Sequence, residues 1–161
     1  MSSASAANPG CGICAMIDRI KAGSFRDFVA ELASCYVILG DQQFYRGYCV
    51  LFAKLHATEL YLMPVDAARL LSDEMRLVAE AIAAVVKPWK MNYECLGNAE
   101  PHVHWHLLPR FENDEMRRVP IWLRPEAERK VMLDDNDRRA LIASIRSQLA
   151  LRLPDARLPS S

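Results

Sequence analysis

The chain has 161 residues, about half of them apolar and a quarter charged, which suits one globular domain with a proper core. Twenty basic residues offset twenty acidic ones; a general nucleic-acid binder needs a basic excess to neutralise phosphates, so a small ligand is the better expectation. Charges interrupt the apolar stretches well before the roughly 20 residues that a membrane helix needs.

Residues 1–10 are rich in Ser and Ala and lack the basic start of a secretory signal. They are expected to form a disordered leader, ahead of a single domain over 11–153 and a tail over 154–161. A cytoplasmic location is expected, with no membrane partner. The five cysteines are then read as thiols rather than a disulfide framework. Ile13, Met16, Ile17 and Ile20 recur at helical spacing after Cys11 and Cys14. Cys35 to Leu39 reads as a strand closed by Gly40-Asp41. Phe44 to Phe52 reads as the next strand, with 40–42 as the hairpin turn.

Asp66 to Val86 carries Leu71, Met75, Val78, Ile82 and Val85/Val86 every three or four residues, the period of an amphipathic helix. Asp66 is the candidate N-cap, and Lys87-Pro88 ends the helix. Met91 to Leu96 and Val103 to Phe111 read as strands around a turn at Gly97-Asn98. The charged, Pro-containing stretch 112–128 reads as irregular. A last helix is predicted from Asp135 to Leu151. This order gives an α+β domain: an antiparallel sheet with the long helix and the C-terminal helix packed on one face.

Three of the four histidines lie in the run His102-Val103-His104-Trp105-His106. In a strand, side chains alternate faces, so the three imidazoles share one side, about 6–7 Å apart between neighbours. Packing does not require histidine at strict period two. A neutral imidazole has a lone pair for attack or metal binding, and the cationic form donates to phosphate oxygens.

His-x-His-x-His followed by Leu107-Leu108 and Pro109-Arg110 resembles the signature of the histidine triad (HIT) family. The strand Arg46 to Lys54, ending in a basic residue shortly before His56, is similar to a second family segment, as are Ala57 to Leu62 and the Cys11-x-x-Cys14 start. The resemblance covers roughly residues 11 to 111. The run Gly97 to His106 looks like that of a bacterial branch of the diadenosine tetraphosphate hydrolase type. Two departures stand out. The loop before the triad lacks the usual Gln or Ser, and the family's Gly-His is here Gly47-Tyr48.

The resemblance implies a homodimer and a covalent mechanism at the α-phosphate of a nucleotide. His104 would be the nucleophile, His106 a donor to the phosphate oxygens, and Asn98 a contact to phosphate or leaving group. Lys54 and Arg110 are further phosphate candidates, each equally readable as an ordinary charge. The resemblance also implies a structural zinc ion held by Cys11, Cys14, His56 and His102, a four-ligand set with no open position. Free thiols are the alternative; a redox C-x-x-C lacks its usual βαβ setting.

The apolar stripe of the 66–86 helix is read as core. Trp105 should face that core, and Trp89 and Trp122 are read first as packing residues, with a nucleobase wall as the other use. Neither a G-x-S-x-G nor a P-loop is present. Two functions follow: a nucleotide hydrolase or nucleotidyl transferase acting on a dinucleoside polyphosphate or a phosphoramidate, or a zinc-stabilised nucleotide-binding module with little turnover.

Overall fold

Cys35–Leu39 and Cys49–Ala53 are apolar at nearly every position, the pattern of strands covered on both faces. In the computed structural model, which describes residues 8–158, these strands lie inside a five-stranded antiparallel sheet. The elements are α1 (Gly12–Lys21), β1 (Phe28–Glu31), β2 (Cys35–Leu39), β3 (Cys49–Ala53), α2 (Val65–Val86), β4 (Lys90–Glu94), β5 (His104–Arg110), α3 (Glu126–Arg129) and α4 (Asp135–Ala150). The strand order is β1-β2-β3-β5-β4, so the histidine strand lies inside the sheet between β3 and β4. The edge strand β4, Lys-Met-Asn-Tyr-Glu, carries the polar residues that suit an edge.

Alternation along β5 sends Trp105 and Leu107 to one face and His104, His106 and Leu108 to the other. On the first face α2 and α4 supply Leu71, Val78, Ile82, Leu141, Ile145 and Leu149 to the larger core. The expected α+β arrangement, with the long and C-terminal helices on one face, is what the structure contains. Truncating Ile82, which is fully buried, to Ala would cost about 2–5 kcal/mol. The second face is covered by α1, through Ile13, Cys14, Ile17 and Ile20, and by Ile121 from the segment after β5.

Three local expectations change, and one strand is added. The predicted strand over 44–52 begins only at Cys49. Residues 40–48 form a loop organised by the buried side chain of Gln43, which donates to the carbonyls of Gly40 and Tyr48 and accepts from Gly47 N–H. These bonds take the place of a ladder, and Gly47 at φ +90° turns the chain where a side chain would be strained. Strand β1 was not legible, being four residues long, preceded by Arg26 and Asp27 and itself ending in Glu31. Helix α2 starts at Val65 with Pro64 at the cap, so Asp66 lies inside the first turn and favours the dipole there rather than capping. Within 112–128, Ile121–Leu123 forms a 3₁₀ turn, and the one-turn α3 begins at Glu126.

The expected leader falls mostly on residues 1–7, outside the described residues. Asn8 does have a position: its side-chain amide lies 3.3 Å from Nε2 of His56. At the other end, Arg157 forms a backbone bridge with Glu31 of β1, while Ala156 and Leu158 pack on the larger core.

Candidate active site and metal cluster

Cys11 ends the extended entry to α1, and its sulfur accepts from the N–H of Cys14, so the cap of the helix and the first sulfur are one residue. The N–H of Gly12 donates to Oε2 of Glu100 at 3.0 Å, which ties the helix start to the loop before β5. A Cβ on Gly12 would lie 2.6 Å from that carboxylate, so glycine permits the approach.

This joint brings Cys11 and Cys14 to His56, after β3, and His102, before β5. The four donor atoms lie within 4.8 Å of one another. Nδ1 of His102 lies 3.4 Å from Sγ of Cys11, 3.6 Å from Sγ of Cys14 and 3.2 Å from Nδ1 of His56; Sγ of Cys14 lies 3.5 Å from Nδ1 of His56. A tetrahedron with ordinary zinc bond lengths has N···N edges of about 3.3 Å and N···S edges of about 3.6 Å. The cluster therefore has the size and donor chemistry to hold a metal ion of that kind.

The outer partner of His102 agrees. Its Nε2 lies 2.8 Å from the carbonyl of Ala53. A carbonyl only accepts, so Nε2 carries the proton and Nδ1 presents its lone pair to the cluster, the arrangement that orients a metal-binding imidazole. Burial, the largest cause, holds the His102 pKa below its ordinary value, keeping the ring neutral. Burial also pushes the Cys14 thiol up, so a thiolate there calls for a cation beside it.

Two residues along, the same argument gives the opposite tautomer. Nδ1 of His104 lies 2.6 Å from the carbonyl of His102, so Nδ1 carries the proton and Nε2 keeps the lone pair. His104 is buried, and Nε2 has no hydrogen-bond partner among the described residues. The His106 ring is nearly perpendicular to it, with centroids 4.9 Å apart. Nδ1 of His106 lies 2.7 Å from the Tyr48 hydroxyl. Burial, with His104 adding a smaller contribution, lowers the His106 pKa to about 4, so this ring is neutral near pH 7.

Trp122 extends the site. Its ring meets His106 edge-on at 5.7 Å, its indole N–H donates to the carboxylate of Glu94, and the Arg129 guanidinium lies 5.0 Å over the ring. Glu94 is the cross-strand partner of His106, so Asn92 and Glu94 share the triad's face of the sheet. They line a groove of about 310 Å³ with Arg110, Arg117, Arg118 and Pro120. Another cavity, about 350 Å³, is lined by Glu31, Lys54, Glu74 and Arg157 and contains no triad residue.

The structure thus brings His104 and His106 together and, separately, Cys11, Cys14, His56 and His102. Asn98 lies exposed in the turn after Gly97, with no side-chain hydrogen bond among the described residues. Lys54 is engaged with Glu31 at 2.6 Å. Arg110 is 1% exposed and bonded to Asn92, Asp114 and the carbonyls of Met116 and Val119, so it fastens the segment after β5 rather than facing a ligand. Trp105 packs against the larger core as expected. Trp89 is half exposed, with Arg117 over its ring. Sequence reasoning missed Tyr48 and Glu94 as neighbours of His106. Strand alternation carried a signal for Tyr48, which has the parity of Val50 and Phe52 on the triad's face.

The row of imidazoles thus lies on an inner strand beside an aromatic wall, with fixed and differing tautomers at His102 and His104. The HIT domain family matches residues 24–113, more than half of the chain, and the chain belongs to that family, whose members are in general nucleotide hydrolases and transferases. Solved structures show the same fold. A histidine triad protein from Sinorhizobium meliloti is 21% identical, with 81% of this chain and 93% of that chain covered and a TM-score of 0.68. One from Marinobacter aquaeolei is 22% identical, with 83% and 94% covered and a TM-score of 0.69. A Zn-bound histidine triad family protein from Mycobacterium smegmatis is 19% identical, with 89% and 95% covered and a TM-score of 0.63. No curated protein matches the sequence.

Proposed function

We propose that the protein attacks the α-phosphate of a nucleotide through His104, on a dinucleoside polyphosphate such as diadenosine tetraphosphate or on a nucleoside phosphoramidate. The observation that carries this reading is the bond from His104 Nδ1–H to the His102 carbonyl, which leaves Nε2 as a neutral nucleophile. The Nε2 lone pair forms a bond to the α-phosphorus. The bond to the leaving group breaks, and its electron pair departs with that group, which takes up a proton from solvent. The carbonyl of His102 steadies the positive charge that develops on the ring. Water then attacks the phosphorus, the P–N bond returns its electrons to Nε2, and a nucleoside monophosphate leaves.

His106 donates from Nε2–H to the phosphate oxygens, where charge builds in the transition state. Asn98, in the turn leading to the triad, contacts the phosphate or the leaving group once a nucleotide is bound. Zinc is the proposed occupant of the Cys11, Cys14, His56 and His102 cluster; four protein ligands leave no open position, so it would anchor α1 and the start of β5. The functional unit is a single domain over 11–153 with a leader at 1–10 and a tail at 154–161. It works as a cytoplasmic homodimer on small molecules, without nucleic-acid or membrane partners.

The test is release of AMP from diadenosine tetraphosphate and from an adenosine phosphoramidate, run beside His104→Ala. AMP from either substrate, lost in the variant, supports the reading, and the substrate cleaved chooses the branch. Undiminished AMP release by His104→Ala would sink the assignment of the nucleophile.

A further inference from the structure

We infer that Tyr48 is a positioning residue for His106: its hydroxyl donates to Nδ1 and locks the ring as the Nε2–H tautomer. The inference rests on the reading of His106 as the phosphate donor, and fixes that donor's proton on Nε2.

A phenol and a neutral imidazole 2.7 Å apart can share a hydrogen bond in either sense. The surroundings decide between them. Tyr48 is 6% exposed, and His106 is its only hydroxyl partner among the described residues. Were His106 the donor, the phenol O–H would be left buried without an acceptor, which costs about 1–3 kcal/mol. With the hydroxyl donating, both groups are satisfied and the proton of His106 resides on Nε2, the nitrogen away from Tyr48.

The loop that carries Tyr48 is built to hold this hydroxyl in place. Gly40 lies against the Tyr48 ring, and a Cβ at position 40 would run into it. Gly40 N–H donates to the Tyr48 carbonyl, Tyr48 N–H donates to the Tyr45 carbonyl, and the buried Gln43 amide bonds both Gly40 and Tyr48. The side chain therefore projects from a backbone fixed at several points. The Trp122 ring also packs on His106, with centroids 5.7 Å apart and planes at 80°. This accounts for the tyrosine at the position where the sequence departs from the family's Gly-His. A phenol that does not titrate near neutrality holds one tautomer across that range.

The experiment is nitrogen-15 NMR of the imidazoles in the full-length protein, with His106 assigned through His106→Gln, alongside AMP-release kinetics. Wild type should show His106 as a single Nε2–H species. Tyr48→Phe, which keeps the ring packed on Gly40, should populate both tautomers and lower kcat about tenfold, the scale of one net hydrogen bond, with little change in KM. Tyr48→His should restore the tautomer. Gly40→Ala, which displaces the ring and keeps the hydroxyl, should lose it again. An Nδ1–H form in wild type, or an unchanged Nε2–H form in Tyr48→Phe, would overturn the inference. The tautomer is read on the resting protein, so a mixed tautomer in Tyr48→Phe without nucleotide hydrolysis by wild type would uphold the positioning role while refuting the catalytic reading.

Discussion

His102 and His104 are two residues apart on one segment, yet they expose opposite ring nitrogens. His102 gives Nε2–H to the Ala53 carbonyl and aims Nδ1 at two sulfurs and a second imidazole. His104 gives Nδ1–H to the His102 carbonyl and keeps Nε2 unpaired. One region is closed, because its four donors face each other at the spacing of a single ion's coordination sphere. The other is open, because its lone pair has nothing to meet among the described residues. The difference lies in the backbone carbonyl each ring finds, and it separates a closed donor cluster from an open lone pair.

The largest test of this division is His104→Ala. If His104 is the nucleophile proposed above, its removal should lower AMP release by at least about a thousandfold, while far-UV circular dichroism and metal content stay at wild-type values. Loss of metal in that variant would show that the two regions are not separate.

Next comes the closed region. Cys14→Ser, or prolonged chelation, should lower zinc content measured by elemental analysis, well below one per chain. It should also lower Tm by roughly 10 °C, the scale of a few kcal/mol in a chain of this length. Wild-type protein prepared without chelator but holding under about a tenth of an ion per chain would refute the metal reading.

A pH series addresses the open region. The His106 pKa in the folded protein is lowered from 6.5 to about 4 by burial. The unfolded chain therefore binds more protons between these values, and stability falls as pH drops through that window. The contribution is fully present above 6.5 and exhausted below about 4, with an upper limit near 3 kcal/mol. Thermal melts from pH 7 to pH 4 should show a shallower decline for His106→Gln than for wild type. Parallel curves would remove this account of the ring's burial.

The smallest effect concerns the joint between α1 and the triad loop. Gly12→Ala forces the Glu100 carboxylate away from the helix start. Because that carboxylate ends a flexible side chain, the expected cost is about 1 kcal/mol, a fall in Tm of roughly 2–4 °C. A larger fall accompanied by metal loss would mean that the joint, and not the ligand chemistry alone, assembles the cluster.

Much of this was readable from the chain. Period two around His104 and period 3.6 in α2 are properties of local sequence, and both elements formed where their patterns placed them. The α+β class followed from their order. The strand expected over 44–52 forms only from Cys49 because Phe44, Tyr45 and Tyr48 belong to a loop buried by long-range packing, and burial without ladder bonds leaves the same apolar signature. Arg110 shows the same ambiguity in a charged residue. Beside a histidine row it reads as a phosphate ligand, but its five donors are directed mainly at a side-chain amide, a carboxylate and two carbonyls of its own chain.

The sequence by itself determined which chemical groups are available, which of them share a face of β5, and that the chain builds an antiparallel sheet with helices, because these follow from residue type and periodicity. Only the tertiary structure decided which nitrogen each histidine presents. A tautomer is set by the one acceptor or donor that happens to lie 2.6 to 2.8 Å away. Those partners, Ala53, His102 and Tyr48, come from β3, from the entry to β5 and from the loop before β3; Ala53 and Tyr48 lie far from their histidine in sequence and are brought into reach by the pairing of β3 with β5, while the His102 carbonyl is local to His104.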